Sequence, residues 1–171
     1  MTASASISIV IPTCNRPEML GECLRRVAAA IDAAGRPQVE VIVSDDSRDE
    51  RTRDYVASGH PWVRWVRGPR RGPAANRNTG VAAASGAWII FTDDDCLPEP
   101  RWLRAYLQAM QADPASNVFE GRTVADRPRR RLDEESPVNE TGGYLWSCNM
   151  AIRRELFEHM GGFCESFPYA A

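Results

Sequence analysis

Short apolar runs and helix-period stripes alternate along the first 112 residues. Residues 7–11 read ISIVI and stop at Pro12, the pattern of a strand covered on both faces. Leu20, Leu24, Val27 and Ile31 then recur at spacings of four, three and four, which predicts a helix entered at Pro17 and stopped by Gly35 and Pro37. Residues 39–43, VEVIV, predict a second strand that breaks on Asp45-Asp46-Ser47. A short helix over about 49–57 and a third strand from Trp62 to Val66 follow. The Gly/Pro/Arg segment RGPRRGPAANRN leads into a helix running through Ala84. Residues 87–92, AWIIFT, predict a fourth strand that ends directly on Asp93-Asp94-Asp95, and Leu103, Tyr106, Leu107 and Met110 mark the next helix.

Alternation at these intervals predicts an α/β fold, βαβ units on a mainly parallel sheet. After residue 112 the pattern loosens. Residues 117–124 and 144–152 read as strands, 125–143 as a polar loop carrying Arg129-Arg130-Arg131, and 153–160 as a helix stopped by Gly161-Gly162. No repeat or linker divides the 171 residues, so one domain is expected.

Composition acts mainly by exclusion. All 21 basic residues are arginine, which removes Schiff-base lysines, the P-loop lysine and the kinase strand lysine. No G-x-G-x-x-G follows the first strand, against a dinucleotide oxidoreductase. A formal net charge of −2 argues against a nucleic-acid partner. Cys14, Cys23, Cys96, Cys148 and Cys164 lack any C-x-x-C pairing and read as reduced, mostly buried thiols. No apolar run reaches the ~18 residues of a membrane span, and MTASASISIV lacks a signal peptide's features, so a cytoplasmic address is expected.

In open α/β sheets ligands sit beyond the carboxyl ends of the strands. Both acidic clusters fall there: Asp45 and Asp46 after the second strand, Asp93, Asp94 and Asp95 after the fourth. Three adjacent carboxylates at a partly desolvated strand end repel one another. A divalent cation, Mg2+ or Mn2+ for hard oxygen ligands, or ribose hydroxyls would relieve that repulsion. The alternative is a solvated turn with aspartates capping the next helix. Arg67, Arg70 and Arg71 read as a solvated loop rather than a diphosphate contact. The run Arg127 to Arg131 is followed by Asp133-Glu134-Glu135 and reads as self-paired surface charge, a peripheral contact with anionic lipid or a polyprenyl phosphate being the alternative. His60 and His159 read as structural, Trp62, Trp65 and Trp88 as core, and Trp102 as packing. Trp146 stays open between packing and stacking on a sugar or base.

The segments SIVIPTCNRPEMLGECL, VIVSDDS, GPAANRNTGVAAASG, FTDDDCLPEP and CNMAIRRELFEHMGGF occur in this order from residue 8 to residue 163. Together they resemble the family 2 glycosyltransferases of the GT-A fold. The resemblance implies a three-layer α/β/α sandwich, with residues 1–112 as the nucleotide-sugar half and 113–171 as the start of the acceptor-side half. It also implies inverting transfer of a sugar, with Mn2+ or Mg2+, from a nucleotide diphosphate, often UDP, to a hydroxyl acceptor. That acceptor would be a glycan, a lipid-linked molecule or another hydroxyl acceptor, as in glycan or cell-surface polysaccharide synthesis. By the resemblance, Pro12, Thr13 and Asn15 line the nucleoside pocket, and Asp46, beside Asp45, accepts a hydrogen bond from the base. Asp93 faces the ribose and Asp95 the metal, with Asp94 open to a one-residue shift in register; Arg77 and Asn78 lie near the donor. A non-catalytic nucleotide-sugar-binding module is the leading alternative. Nucleotidyl transfer on a related fold is disfavoured, because IPTCNRPEM stands where a Gly-rich loop is expected.

The same resemblance leaves a gap. Family members follow their G-G-F-D-E segment with an E-D pair that supplies the acceptor base. Here the segment reads Gly161-Gly162-Phe163-Cys164-Glu165 and the sequence ends at Ala171. The expectation is an N-terminal portion that is C-terminally incomplete, impaired in transfer, with the base beyond Ala171. Glu165 is the one late carboxylate that could substitute, and apolar surface near Phe163 and Phe167 should be left exposed.

Overall fold

The computed structural model describes residues 6–132 and 136–166. Asp133-Glu134-Glu135 and Phe167 lie outside the described residues. The order of elements is β1 (Ile7–Thr13), α1 (Pro17–Ala33), β2 (Val39–Asp45), α2 (Arg51–Gly59), β3 (Arg64–Arg67), α3 (Pro73–Ala82), β4 (Trp88–Thr92), α4 (Trp102–Ala112), β5 (Val118–Glu120), β6 (Asn149–Arg153) and α5 (Arg154–His159). One sheet runs in the order β3-β2-β1-β4-β6-β5. The first four strands in that order are parallel, and β6 runs antiparallel to both β4 and β5. The fold is therefore α/β with a mainly parallel sheet, as the resemblance implies.

Strand alternation sorts the core into two layers. Ile7, Ile9 and Ile11 point toward Leu20, Leu24 and Val27 of α1 and Leu103 of α4. Val10, Ile42, Ile89 and Phe91 point the other way, toward Val81 of α3 and Phe157 of α5. Helices thus cover both faces, which is why β1, β2 and β4 read as unbroken apolar runs.

Several expectations shift. The third strand starts later than Trp62, and Trp62 is 44% exposed beside His60, while Trp65 is half-buried and Trp88 buried. Its four residues RWVR form a sheet edge, where charged flanks discourage further pairing. The strand expected over 144–152 is confined to β6, and that over 117–124 to β5. Only Cys23 and Cys148 are buried; Cys96 is intermediate, and Cys14 and Cys164 are exposed. Phe163 itself packs edge-on against Phe91 and Phe157, at 5.2 and 5.4 Å between ring centroids, while the surface beside it, an apolar groove with exposed Met160, is open as expected.

Strand order sets the location of the crevice. β1 pairs with β2 as far as Thr13 and Asp45, but with β4 only as far as Val10 and Phe91. Past that point lies Pro12, whose missing N–H cannot extend a ladder. The chain moves from β1 outward to β2 and β3, then returns to β4 on the other side, so β1 and β4 flank the topological switch point.

At the opposite end of β1 the sheet is closed by Ser8. This fully buried hydroxyl donates to Glu40 and accepts from the Gly86 N–H at 2.8 Å. A Cβ on Gly86 would fall 2.5 Å from the Ser8 nitrogen and 2.7 Å from the Ile7 carbonyl carbon, both backbone. Gly86→Ala should therefore cost about 1–3 kcal/mol in urea unfolding, since the strand itself must move. An unchanged midpoint would show that the α3–β4 connection is looser than this packing requires.

Candidate functional site

Asn76, on the first turns of α3, is the joint of the crevice. Its Oδ1 accepts the Ser44 hydroxyl at 2.6 Å, and its Nδ2 donates to the carbonyls of Thr13 at 3.2 Å and Ser44 at 2.9 Å. One buried amide thus ties the ends of β1 and β2 to a helix 63 and 32 residues away, respectively. The next residue, Arg77, is also buried and places Nη2 2.6 Å from Asp93 Oδ1. Its guanidinium lies 5.9 Å over the Phe163 ring, and its Nε has no hydrogen-bond partner. Asn78 turns to a third segment, donating to the Phe163 carbonyl at 2.9 Å and accepting the Phe163 N–H at 2.9 Å.

The three aspartates after β4 lie in a turn, closed by the Cys96 N–H on the Asp93 carbonyl at 3.1 Å, and face different ways. Asp94 points inward and is fully buried; Thr13 Oγ1 donates to its Oδ2 at 2.5 Å. Arg16 Nη2 lies 2.6 Å from Asp94 Oδ1, but off hydrogen-bonding geometry, so that oxygen is close to a charge yet without a hydrogen bond. Burial pushes the Asp94 carboxyl up to about 6; the Thr13 hydroxyl and Arg16 oppose the rise, while Asp95 and Asp93 add to it. Asp93 and Asp95 face outward, with side chains 23% and 44% exposed, Asp93 against Arg77 and Asp95 3.3 Å from Arg16. Behind this turn the Cys96 and Cys148 thiols act on each other, which pushes Cys96 up and holds Cys148 below the usual thiol range.

The second acidic pair divides in the same way. Asp45 is buried with both oxygens engaged, Oδ1 accepting the Ser47 N–H at 2.8 Å and Oδ2 the Trp65 indole N–H at 3.1 Å. It shapes the turn and is turned away from the crevice. Asp46 is partly exposed and accepts the Arg70 N–H at 2.8 Å. Burial raises its pKa, with the N–H groups of Arg70 and Gly72 opposing. Asn15, exposed and left-handed at φ 57°, donates its N–H to Ser47 Oγ at 2.7 Å and so fixes the β1 loop to the β2 loop. Gly68 passes so close that a Cβ would sit 2.2 Å from Asp46 Oδ1.

Pro12, Thr13, Asn15, Asp46, Arg77, Asp93 and Asp95 thus gather at one end of the sheet. Asn78 does not join them, because its amide is spent on Phe163. Glu165 is spent as well, accepting from Asn78 Nδ2 at 3.0 Å and pairing with Arg71 at 3.1 Å. The loop arginines are exposed, as expected, and also tied at the surface: Arg67 to Glu50 and the Trp65 ring, Arg70 to the carbonyls of Ser47 and Arg48. Asn76 and Arg16 were not marked by the sequence pattern. The signal available for Asn76 was an amide among alanines on the helix face that meets the sheet.

Residues 8–161 match the family described as Glycosyl transferase family 2. The chain belongs to that family. The glycosyltransferase AglE of Haloferax volcanii is 30% identical over 92% of this chain and 55% of its own length. The pre-mycofactocin glycosyltransferase of Mycobacterium tuberculosis is 27% identical over 94% of this chain and 36% of its own. The chain thus spans about half or less of the length of these relatives. Among solved structures, the mannosyltransferase PcManGT of Pyrobaculum calidifontis, in complex with GDP-Man and Mn2+, superposes with a TM-score of 0.69 at 25% identity, covering 96% of this chain and 49% of that one. Staphylococcus aureus TarS in complex with UDP gives 0.74 at 22% identity, covering 96% and 52%, a likeness of fold.

For a family 2 chain the donor set fits a divalent metal. Among the described residues no three His, Cys, Asp or Glu side chains gather to hold an ion alone. Asp93 and Asp95 instead offer outward carboxylate oxygens, and a cation there would complete its shell from phosphate and water, as Mg2+ and Mn2+ do.

The buried Asp94 generates a pH test. Its folded pKa stands above the ordinary 3.8, so the native state holds the proton more tightly than the unfolded chain. Its contribution to stability is therefore full at about pH 4 and falls as pH rises toward about 6, by up to ~3 kcal/mol. Asp94→Asn should match wild type near pH 4 and exceed it near pH 7 in urea unfolding. A wild-type advantage at pH 7 would mean that the Arg16 and Thr13 contacts outweigh desolvation.

Proposed function

We propose that this chain binds a UDP-linked sugar in the crevice and carries the donor half of an inverting glycosyl transfer to a hydroxyl acceptor. The observation that supports this most is the outward pair Asp93 and Asp95, fixed on one side by buried Arg77, at the switch point of a family 2 fold. On this reading Pro12, Thr13 and Asn15 wall the nucleoside. Asp46 takes a base N–H with the carboxylate oxygens that Arg70 leaves available. Asp93, oriented by Arg77, accepts from the ribose, and Asp95 holds the metal with Asp93 beside it. When bound, Mn2+ or Mg2+ would stabilise the charge that develops on the diphosphate leaving group. Residues 1–112 are then the donor half and 113–171 the beginning of the acceptor half, although the sheet itself continues across that boundary.

Glu165, engaged by Asn78 and Arg71, is not poised to take the acceptor proton. General-base help is worth ~10²–10⁴-fold, so transfer by the described residues alone should be impaired by at least that much. This favours one second reading, a nucleotide-sugar-binding module without turnover; release of UDP on sugar transfer to an added glycan acceptor separates the two. On this reading the acceptor is a hydroxyl of a glycan, a lipid-linked molecule or another acceptor, as in glycan or cell-surface polysaccharide synthesis. Five free cysteines suit a reducing cytoplasmic setting. Among the described residues no helix is long and apolar enough to cross a membrane.

Calorimetry of UDP with and without Mn2+ tests the reading. Wild type should bind UDP more tightly with Mn2+, and Asp95→Ala should erase that difference. Asp46→Asn keeps an acceptor for the Arg70 N–H but loses the charge, and should weaken UDP roughly ten- to a hundredfold with Mn2+ dependence intact. Metal-independent UDP binding, or none, would contradict the assignment.

A further inference from the structure

Asp93 and Asp95, the two outward carboxylates after β4, are each held by an arginine, and the two arginines differ in kind. Arg77 is locked, its side chain 6% exposed, since leaving Asp93 would strand a buried charge. Arg16 stands at the mouth, 45% exposed and spread across two acids. Its Nη2 lies 2.6 Å from Asp94 Oδ1, and its Nη1 donates to Asp95 Oδ2 at 3.3 Å. The Arg16 backbone is fixed on both sides. Asn15 before it is left-handed and clasped to Ser47, and Pro17 after it keeps Arg16 out of the helix, at φ −132°. The Arg16 carbonyl then accepts the Leu20 N–H at 3.0 Å. A rigid loop thus delivers one guanidinium, on a half-exposed side chain, to the acid cluster.

Asp94 and Asp95 use that charge differently. Asp94 is fully buried and its Oδ1 lacks a hydrogen-bond partner, so the guanidinium is needed there to offset desolvation. Asp95 has a side chain 44% exposed, so its share of the guanidinium is worth less and is the easier to exchange.

We propose that Arg16 is an exchangeable internal cation: the chain alone holds Asp95 through Arg16, which gives that carboxylate up when a divalent ion binds there. This rests on the donor-site reading above. A guanidinium 3.3 Å from Asp95 repels a second cation brought to the same carboxylate. A nucleotide diphosphate brings the negative charge that lets the ion and Arg16 share the crevice. Arg16 therefore makes loading of the ion depend on the nucleotide. An Arg16 that only held Asp95 in place for the ion would act with the opposite sign, its loss weakening metal binding.

Electron paramagnetic resonance of free Mn2+ measures the affinity of the whole chain with no nucleotide present. Arg16→Gln should bind Mn2+ roughly three- to tenfold more tightly than wild type. Arg16→Lys, with a single ammonium for two carboxylates, should gain less. The Arg16→Gln gain should vanish in an Asp95→Asn background and shrink below about twofold at saturating UDP. Unchanged or weaker Mn2+ binding in Arg16→Gln overturns the exchange, as does a gain that survives Asp95→Asn or is as large with UDP. If Arg16→Gln does not fold, Arg16→Lys decides, and no gain there overturns it. Calorimetry of UDP with Mn2+ on the same samples keeps the two claims apart. Mn2+-dependent UDP binding with equal Mn2+ affinity in wild type and variants removes the exchange and leaves the donor site standing. No Mn2+ binding by any of the proteins, with or without UDP, removes both.

Discussion

Three successive side chains of α3 reach three separate parts of the chain, and the crevice depends on them. A helix turns about 100° per residue, so neighbours leave in different directions. Asn76 goes down to the ends of β1 and β2, Arg77 across to Asp93, and Asn78 up to the backbone of Phe163. Of these, Arg77 to Asp93 carries the most consequence. A guanidinium 5% exposed, with one nitrogen lacking a hydrogen-bond partner, is tolerable only beside a fixed negative charge. The cost of that burial is what makes Asp93 hold one position.

The rest of the site follows from this anchor and from the turns that end β4 and β2. Beyond the end of β4 the chain turns, the Cys96 N–H donating to the Asp93 carbonyl at 3.1 Å, and that turn sends Asp93 toward α3, Asp94 inward to Thr13 and Asp95 outward. The turn after β2 likewise sends Asp45 inward to Ser47 and Trp65 and leaves Asp46 at the mouth. Two acidic runs of different length thus resolve into the same device: one carboxylate that shapes the turn, and others left for a ligand.

How much of this could be read from residues alone varied with the range of the interaction. Buried parallel strands announce themselves as apolar runs, so β1, β2 and β4 and their acid-bearing ends were legible. RWVR at the edge was not, because four residues bounded by arginine carry little periodicity. The direction each aspartate faces was also hidden, since it depends on the Thr13 hydroxyl, 81 residues from Asp94. Asn76 escaped notice for the same reason, its partners being brought together only by the crossover from β3 to β4. Asn78 was placed near the donor by resemblance, yet its geometry makes it the clasp of the segment that holds Phe163 against Phe91. Fold and family come from the whole pattern; site roles come from single side chains and need their partners in view.

If Arg77 serves the site only by fixing Asp93, the two residues form one unit. A double-mutant cycle on Mn2+-dependent UDP affinity measures this directly, using Arg77→Met, Asp93→Asn and the double variant. The account predicts that each single change weakens binding and that the double variant binds about as weakly as Asp93→Asn alone. Losses that simply add, to within about 0.5 kcal/mol, would show that Arg77 reaches the ligand independently and would contradict the anchor.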